Sequence, residues 1–322
     1  MRDFNRDVAN ASEWRGSVPA GELSWSPARH ALFESCKRAY FLCYYMAQGA
    51  WDQYSHPLLR QCYIEKRLTT LPAWAGSVLN DAFSFALEKT ARHPDSARAG
   101  EAVKAFLFET ARLIAESAAQ LRRREWQEDP KKLNLFEFYY GKAADDAFDA
   151  KAKELKAAAK DFSCSDAAIS AFAIDRNAWR RLKEFEPFRL CGMEAWAHPP
   201  LAWVIEGRAH FLELKLGSSV FSDSLASHAA MLDLLAASRF KTSRGTSVLH
   251  LAFPDGSSSD IMPDPAPLVK LASSSSQAMR ALIRPDGFAH IADFPPNPDK
   301  ERCGSCRFRG TCEKTISNND KE

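Results

Sequence analysis

The sequence predicts a mixed α/β fold: a small mixed sheet flanked by helices, with a large helical insertion. Three observations predict it. Apolar stripes at helical spacing, with clear start signals, dominate the first part of the chain. A long central stretch is rich in Ala, Lys, Glu and Leu, all strong helix formers. After Pro187 the pattern changes to short apolar or alternating runs bounded by Pro and Gly, which read as strands.

Taken in order, residues 1–23 read as a flexible or loosely docked N-terminal arm. The N-terminal helices of the core, 24–95, start sharply, with Ser26 as N-cap and Pro27 at the first helical position. Leu32, Cys36, Tyr40 and Cys43 recur at helical spacing through one segment ending near Met46. A loop follows, then a helical stripe of Trp74, Val78, Ala82 and Phe85. Residues 96–187 form the helical insertion, with runs at 102–121 and 143–159 and Pro130 separating helices. Within 188–284, segments 189–196 and 201–216 read as strands, and 222–240 as a helix capped by Ser222. Segment 246–253 reads as a strand closed by Pro254-Asp255-Gly256, and 265–283 as a helix despite four consecutive serines. The cysteine-rich tail, 285–322, is loop-like, with Pro295, Pro296 and Pro298.

Of 322 residues, 46% are hydrophobic and 26% charged, as in an ordinary globular protein. Formal net charge is only +2, so no global field attracts nucleic acid or membrane. Contact with DNA would rest on local basic clusters. No apolar run approaches the ~20 residues of a membrane span, and the N-terminus lacks the apolar centre of a secretory signal. A cytoplasmic location without membrane contact is expected. There, eight cysteines point to metal rather than to disulfides.

Cys303, Cys306 and Cys312 stand close together, and Gly304 and Gly310 let the backbone fold tightly around a centre. Thiolates suit iron–sulfur clusters and zinc, and both commonly take four ligands. Spacing leaves the choice between them open. It also leaves the fourth ligand open among Cys36, Cys43, Cys62, Cys164 and Cys191.

The run Ser24-Trp25-Ser26-Pro27, continued by Ser35-Cys36-Lys37-Arg38-Ala39-Tyr40, resembles the opening helix of RecB-like PD-(D/E)xK nucleases that carry an iron–sulfur staple. That group includes AddB-type helicase–nuclease subunits and CRISPR-associated adaptation exonucleases. The proline that follows the cysteine in the family is absent here. Further matches are Trp74 to Asn80, similar to a helix where the family has a His at the position of Asn80, and Phe211-Leu212-Glu213-Leu214-Lys215-Leu216-Gly217, similar to its acid-x-Lys strand. Residues 227–237 stand where a helix with Gln and Tyr follows in the family, and carry neither.

The resemblance implies a restriction-endonuclease-like core and a [4Fe–4S] cluster on Cys36, Cys303, Cys306 and Cys312 that ties the chain ends together. Zinc is the alternative occupant. It further implies phosphodiester hydrolysis, with Mg²⁺ or Mn²⁺ held by two carboxylates and helped by a lysine. Glu213 and Lys215 supply the acid-x-Lys part, with Glu206 as the second metal-binding carboxylate and Asn80 beside them. A hairpin turning at Gly207-Arg208 would pair Glu206 with Ala209 and Ala202 with Glu213, leaving Glu206 roughly 14 Å from Glu213. The other alignment puts His210 in place of the aspartate, too near Glu213 for a hairpin between them. Glu194 is peripheral. A degraded catalytic site is therefore expected, in a DNA-binding or scaffold protein partnered with a helicase or an active nuclease. An active exonuclease and a zinc-knuckle interaction protein are the alternatives. Lys37, Arg38, Arg302, Arg307 and Arg309 would lie near the cluster, and Trp126, Trp179, Tyr139 and Tyr140 are available to stack on bases.

Overall fold

The computed structural model describes residues 16–48, 50–51, 55–90, 95–144, 146–173, 179–180, 186–197, 201–216, 223–239, 245–253 and 258–319. Two short strands, β1 (Ser17–Pro19) and β2 (Ser24–Trp25), come first. The described part of the expected loose arm is thus held by backbone pairing. β1 runs antiparallel to β10 (Phe288–His290), and Ser17 faces His290.

Helix α1 (Pro27–Ser35) starts as its sequence dictates, with the Ser26 hydroxyl accepting the Arg29 N–H at 3.2 Å. The single helix expected to run on to Met46 is divided. Cys36 is extended (φ −162, ψ 109), ending α1 and capping α2 (Lys37–Phe41). A π-helical turn, Leu42–Met46, follows. The apolar period survives such a break, so spacing alone hides it.

Next comes α3 (Pro57–Arg67), where a loop was expected. Pro57 lies in its first turn, and the His56 Nδ1 accepts from Leu58 N–H at 3.2 Å. The helical layer continues with α4 (Leu71–Lys89), α5 (Asp95–Arg123), α6 (Phe136–Tyr139), α7 (Ala147–Ser163) and α8 (Asp166–Ala173). Thr70 caps α4, accepting the Ala73 N–H at 3.3 Å.

The strands follow: β3 (Trp179–Arg180), β4 (Glu186–Leu190), β5 (Met193–Ala197), β6 (Leu201–Ile205) and β7 (Arg208–Leu216). Helix α9 (Asp223–Arg239) leads to β8 (Thr246–Phe253) and β9 (Ser258–Ile261). Ser222 and the Pro254-Asp255-Gly256 turn lie outside the described residues. A five-stranded sheet has the order β3-β6-β7-β8-β9, and a three-stranded one the order β2-β5-β4. β7 and β8 are parallel; β6–β7 and β8–β9 are antiparallel. The parallel pair has α9 as its crossover. The fold is a mixed α/β one, with small sheets flanked by helices.

Helix α10 (Ala266–Arg280) absorbs the serine run, because those hydroxyls fold back onto their own turn. Ser276 donates to Ser273 O at 2.8 Å, and Ser275 also accepts the Trp25 indole N–H at 2.7 Å. The tail is ordered where loop was expected, with α11 (Lys300–Ser305) and α12 (Arg309–Asn319) after the prolines.

Two apolar cores flank β7. Ala209 and Phe211 join a core with α1, α2, α9 and α10; Leu212 and Leu214 join another with α4, α5, α7 and α8. The residues read as a helical insertion therefore share a core with α4 and the central strand. Among the described residues no helix is long and apolar enough to cross a membrane.

Candidate metal centre

Both ends of the chain line one cavity of about 420 Å³. Cys36, Cys43 and Tyr44 come from the N-terminal helices, and Asn297, Cys303 and Cys306 from the C-terminal segment. Cys312 is not in that lining, but it stands close enough for charge on Cys306, Cys36 or Cys303 to push its thiol pKa up.

Local structure places each thiol. Cys36 sits at the helix break, its Sγ accepting the Ala39 N–H at 3.5 Å. Asp299 caps α11, accepting the Arg302 N–H at 2.9 Å, which sets Cys303 in the next turn. Cys306 ends α11, and its N–H donates to Cys303 O at 3.2 Å. Cys312 lies in α12, its N–H donating to Phe308 O at 2.8 Å.

Burial pushes the Cys306 thiol up, and pushes the Cys312 thiol up to about 11 against the lowering pull of Arg38. A metal must displace those protons, so loading releases them and is favoured as pH rises. Burial also pushes up Cys43, opposed by Lys66, Arg307 and Arg29. Cys62, Cys164 and Cys191, like Cys312, do not line the cavity. Cys62 is buried and donates to Leu42 O at 3.2 Å, while Cys164 and Cys191 are exposed. Among the described residues, no group of three or more His, Cys, Asp or Glu stands as a single bound ion requires.

Polar contacts hold the cysteine-bearing segment in place. The Ser35 carbonyl accepts from Asn297 Nδ2 at 3.0 Å and from the Arg302 guanidinium. The Tyr140 hydroxyl donates to Arg307 O at 2.7 Å, and the Arg309 guanidinium lies over the Tyr140 ring, 3.8 Å from its centroid. Lys142 Nζ donates to Gly304 O.

The start of α12 is gripped by Glu65 of α3, a fully buried carboxylate. Its Oε2 accepts the Thr311 N–H at 3.2 Å, and Gln61 donates to its Oε1 at 2.9 Å. Burial raises the Glu65 pKa, and these hydrogen bonds oppose that. A carboxylate here meets unpaired helix N–H groups.

This close approach explains Gly310. A Cβ there would stand 2.6 Å from Glu65 Oε1 and 2.9 Å from Gln61 Nε2. Gly310→Ala is expected to lower stability by about 1–3 kcal/mol, as overpacking does. Gly304→Ala, inside α11 and with nothing within 4 Å of the added atom, is the control and should gain up to about 1 kcal/mol in the same thermal melts.

Of the nuclease-type candidates, Asn80 meets the strand that carries Glu213 and Lys215, whereas Glu206 and His210 are set apart from them. β6 and β7 pair Leu201 with Leu212 and Ile205 with Arg208, so the turn is Glu206-Gly207 rather than Gly207-Arg208. Both turn residues have positive φ, 49° and 78°. That geometry matches the strand twist in a two-residue hairpin. Glu206 is therefore an exposed turn residue, separated from Glu213 by the strand from Arg208, about 17 Å long. Sharing one ion with Glu213 is excluded by that length.

His210 faces Trp203 and Ser247 across the sheet, and alternation puts it on the opposite face of β7 from position 213. It cannot stand in for an aspartate beside Glu213. Positions 213 and 215 share a face of β7, but their side chains lie outside the described residues. Glu194 is on β5, in the other sheet, opposite Arg189. Asn80 does reach the strand: its Nδ2 donates to Leu214 O at 3.2 Å, between Glu213 and Lys215.

No family model and no curated protein matches this chain. A solved structure titled "Crystal structure of SSO0001" is similar at 15% identity, with 49% of this chain and 75% of that one covered and a TM-score of 0.26. A likeness that slight carries no argument.

Proposed function

We propose that the chain is a nuclease-like DNA-binding or scaffold protein that holds a [4Fe–4S] centre on Cys36, Cys303, Cys306 and Cys312, and that its hydrolytic site is degraded. The observation that carries this reading is the cavity where the thiols of Cys36, Cys303 and Cys306 converge, with Cys312 close beside them. Four thiols are a fitting donor set for such a centre. When bound, it would supply a covalent cross-link between the chain ends.

The strand hairpin, the α9 crossover to a parallel strand and Asn80 at the Glu213–Lys215 backbone support nuclease-like ancestry. The turn position of Glu206 and the face occupied by His210 support lost cleavage. The residues described do not fit a two-carboxylate Mg²⁺ or Mn²⁺ site, and no hydrolytic step is derived for them. DNA contact would rest on the cations around the cysteine segment, in a cytoplasmic protein that works with a helicase or an active nuclease.

Reconstitution with ferric iron, sulfide and a thiol reductant under anaerobic conditions tests the centre. The expected product is brown, with close to four irons and four sulfides per chain. Zinc retained in their place would favour the zinc-knuckle reading. On single- and double-stranded DNA, salt-sensitive binding without cleavage in Mg²⁺ or Mn²⁺ is expected. Degradation abolished by Glu213→Ala or Lys215→Ala would instead establish an exonuclease.

A further inference from the structure

Arg38 is a buried charge with an unusual set of neighbours. The residue is 5% exposed. Its Nε donates to Phe294 O at 2.9 Å and its Nη1 to Thr315 Oγ1 at 3.2 Å. Its backbone N–H donates to Pro295 O at 3.3 Å. A residue from the opening helices is thus built into the far end of the chain. Thr315 in turn donates to the carbonyl of Cys312, so Arg38 reaches a thiol-bearing residue through one hydroxyl.

The charge balance is the informative part. A guanidinium stays protonated in a protein, and burying it costs several kcal/mol unless an anion offsets the loss of water. Among the described residues no carboxylate forms an ion pair with Arg38, and its hydrogen-bond acceptors are neutral. The cation is instead tied through Thr315 to Cys312 and stands two residues after Cys36 in the chain. Neutral thiols would leave the cation uncompensated, whereas metal-bound thiolates would compensate it. Glu65, the buried anion nearby in the same joint, grips Thr311 on α12, one turn before the Thr315 that Arg38 grips. The two side chains clamp α12 on either side of Cys312.

We propose that Arg38 is the positioning residue of the thiolate centre: a fixed buried cation that offsets thiolate charge and holds Cys312 and Cys36 in register. This rests on the reading of the four cysteines as one centre. The residue acts through charge and through its fork of donors. Neighbouring partners of metal ligands typically change metal affinity about 10- to 100-fold when replaced.

The test uses the full chain, reconstituted with iron and sulfide, as wild type, Arg38→Gln and Arg38→Lys. Gln keeps hydrogen-bonding capacity and removes the charge; Lys keeps the charge and removes the fork. The readouts are the rate of iron loss to a chelator, the midpoint potential of the centre, and the melting curve of each metal-free protein. Arg38→Gln is expected to lose iron about 10- to 100-fold faster than wild type and to shift the potential downward, because removing a nearby positive charge disfavours adding an electron. Arg38→Lys should recover most of the potential but less of the retention.

Equal potentials in all three proteins, with equal iron retention, would overturn the assignment. So would a Gln variant whose faster loss is matched by Lys with no separation in potential, since that pattern belongs to packing alone. Should Gln fail to fold without metal, the Lys variant decides by itself: wild-type potential with faster iron loss supports the assignment, and a potential shifted as far as a neutral residue would shift it overturns it. A wild type that takes up no metal sinks the thiol-centre reading and this inference with it. A loaded wild type with indifferent variants sinks this inference alone.

Discussion

Cys36→Ser is expected to abolish the proposed iron–sulfur centre while leaving the metal-free fold intact. The two outcomes separate because Cys36 has two roles. As a helix cap it accepts the Ala39 N–H, a role that serine fills at least as well. As a proposed ligand it would be the sole thiol from the N-terminal end, and a hydroxyl is a poor substitute for a thiolate on iron. Loss of the visible absorption and of most bound iron is the readout. Stability should follow the same division. A cross-link closing a loop from residue 36 to 312 stabilises by about 5 kcal/mol on the chain-entropy argument. Loaded wild type should therefore exceed the serine variant by about that amount in denaturant titrations. The metal-free proteins should agree within about 0.5 kcal/mol, a difference no larger than cap exchange gives.

Phe294→Ala is expected to lower stability by about 3–5 kcal/mol with or without metal, as large-to-small changes at fully buried aromatics do. Phe294 is 0% exposed and sits among Phe41, Tyr45 and Tyr40, with ring centroids 5.1, 5.6 and 6.4 Å away. Its carbonyl accepts from Arg38, so backbone shifts at this position reach the polar part of the joint as well. The joint between the chain ends thus has an apolar half and a thiol half. Thermal melts of metal-free Phe294→Ala isolate the first, and melts of loaded wild type against Cys36→Ser isolate the second. A Phe294→Ala protein as stable as wild type would mean that the tail docks without its aromatic anchor.

What the sequence showed of this arrangement was uneven, for identifiable reasons. The cap at Ser26 and the strand 246–253 carry strong local signals, and the elements appear where those signals lie. The convergence on Cys36 is expected from the resemblance alone, because spacing in the chain gives no distance across the 266 residues between positions 36 and 303. Helix α3 was missed: its loop-like neighbours, Gly49 to His56, masked a start made by Pro57. With α3 unseen, Glu65 had no place, and a single Glu on a helix ordinarily reads as a solvated charge. Only Gly310, which makes room for that carboxylate, marks the contact from the other side.

The hairpin register was misjudged by a two-residue change in pairing, because the left-handed turn at Glu206-Gly207 cannot be told by pattern from one at Gly207-Arg208. That difference moves Glu206 from a strand to an exposed turn. It decides which carboxylates can meet, and so bears on cleavage more than any composition does. The tail read as loop because three prolines interrupt it. Its short helices form after them, fixed by Asp299 and by contacts to Ser35 and Tyr140 rather than by intrinsic propensity.

The most direct measurement is a thiol footprint: alkylation of the native protein before and after the centre is removed by a chelator, with each cysteine read by mass spectrometry. Cys36, Cys303, Cys306 and Cys312 are expected to be shielded together in the loaded protein and to become reactive together when it is stripped, while exposed Cys164 and Cys191 react throughout. Shielding of the terminal three with Cys36 reactive in both states would contradict that expectation.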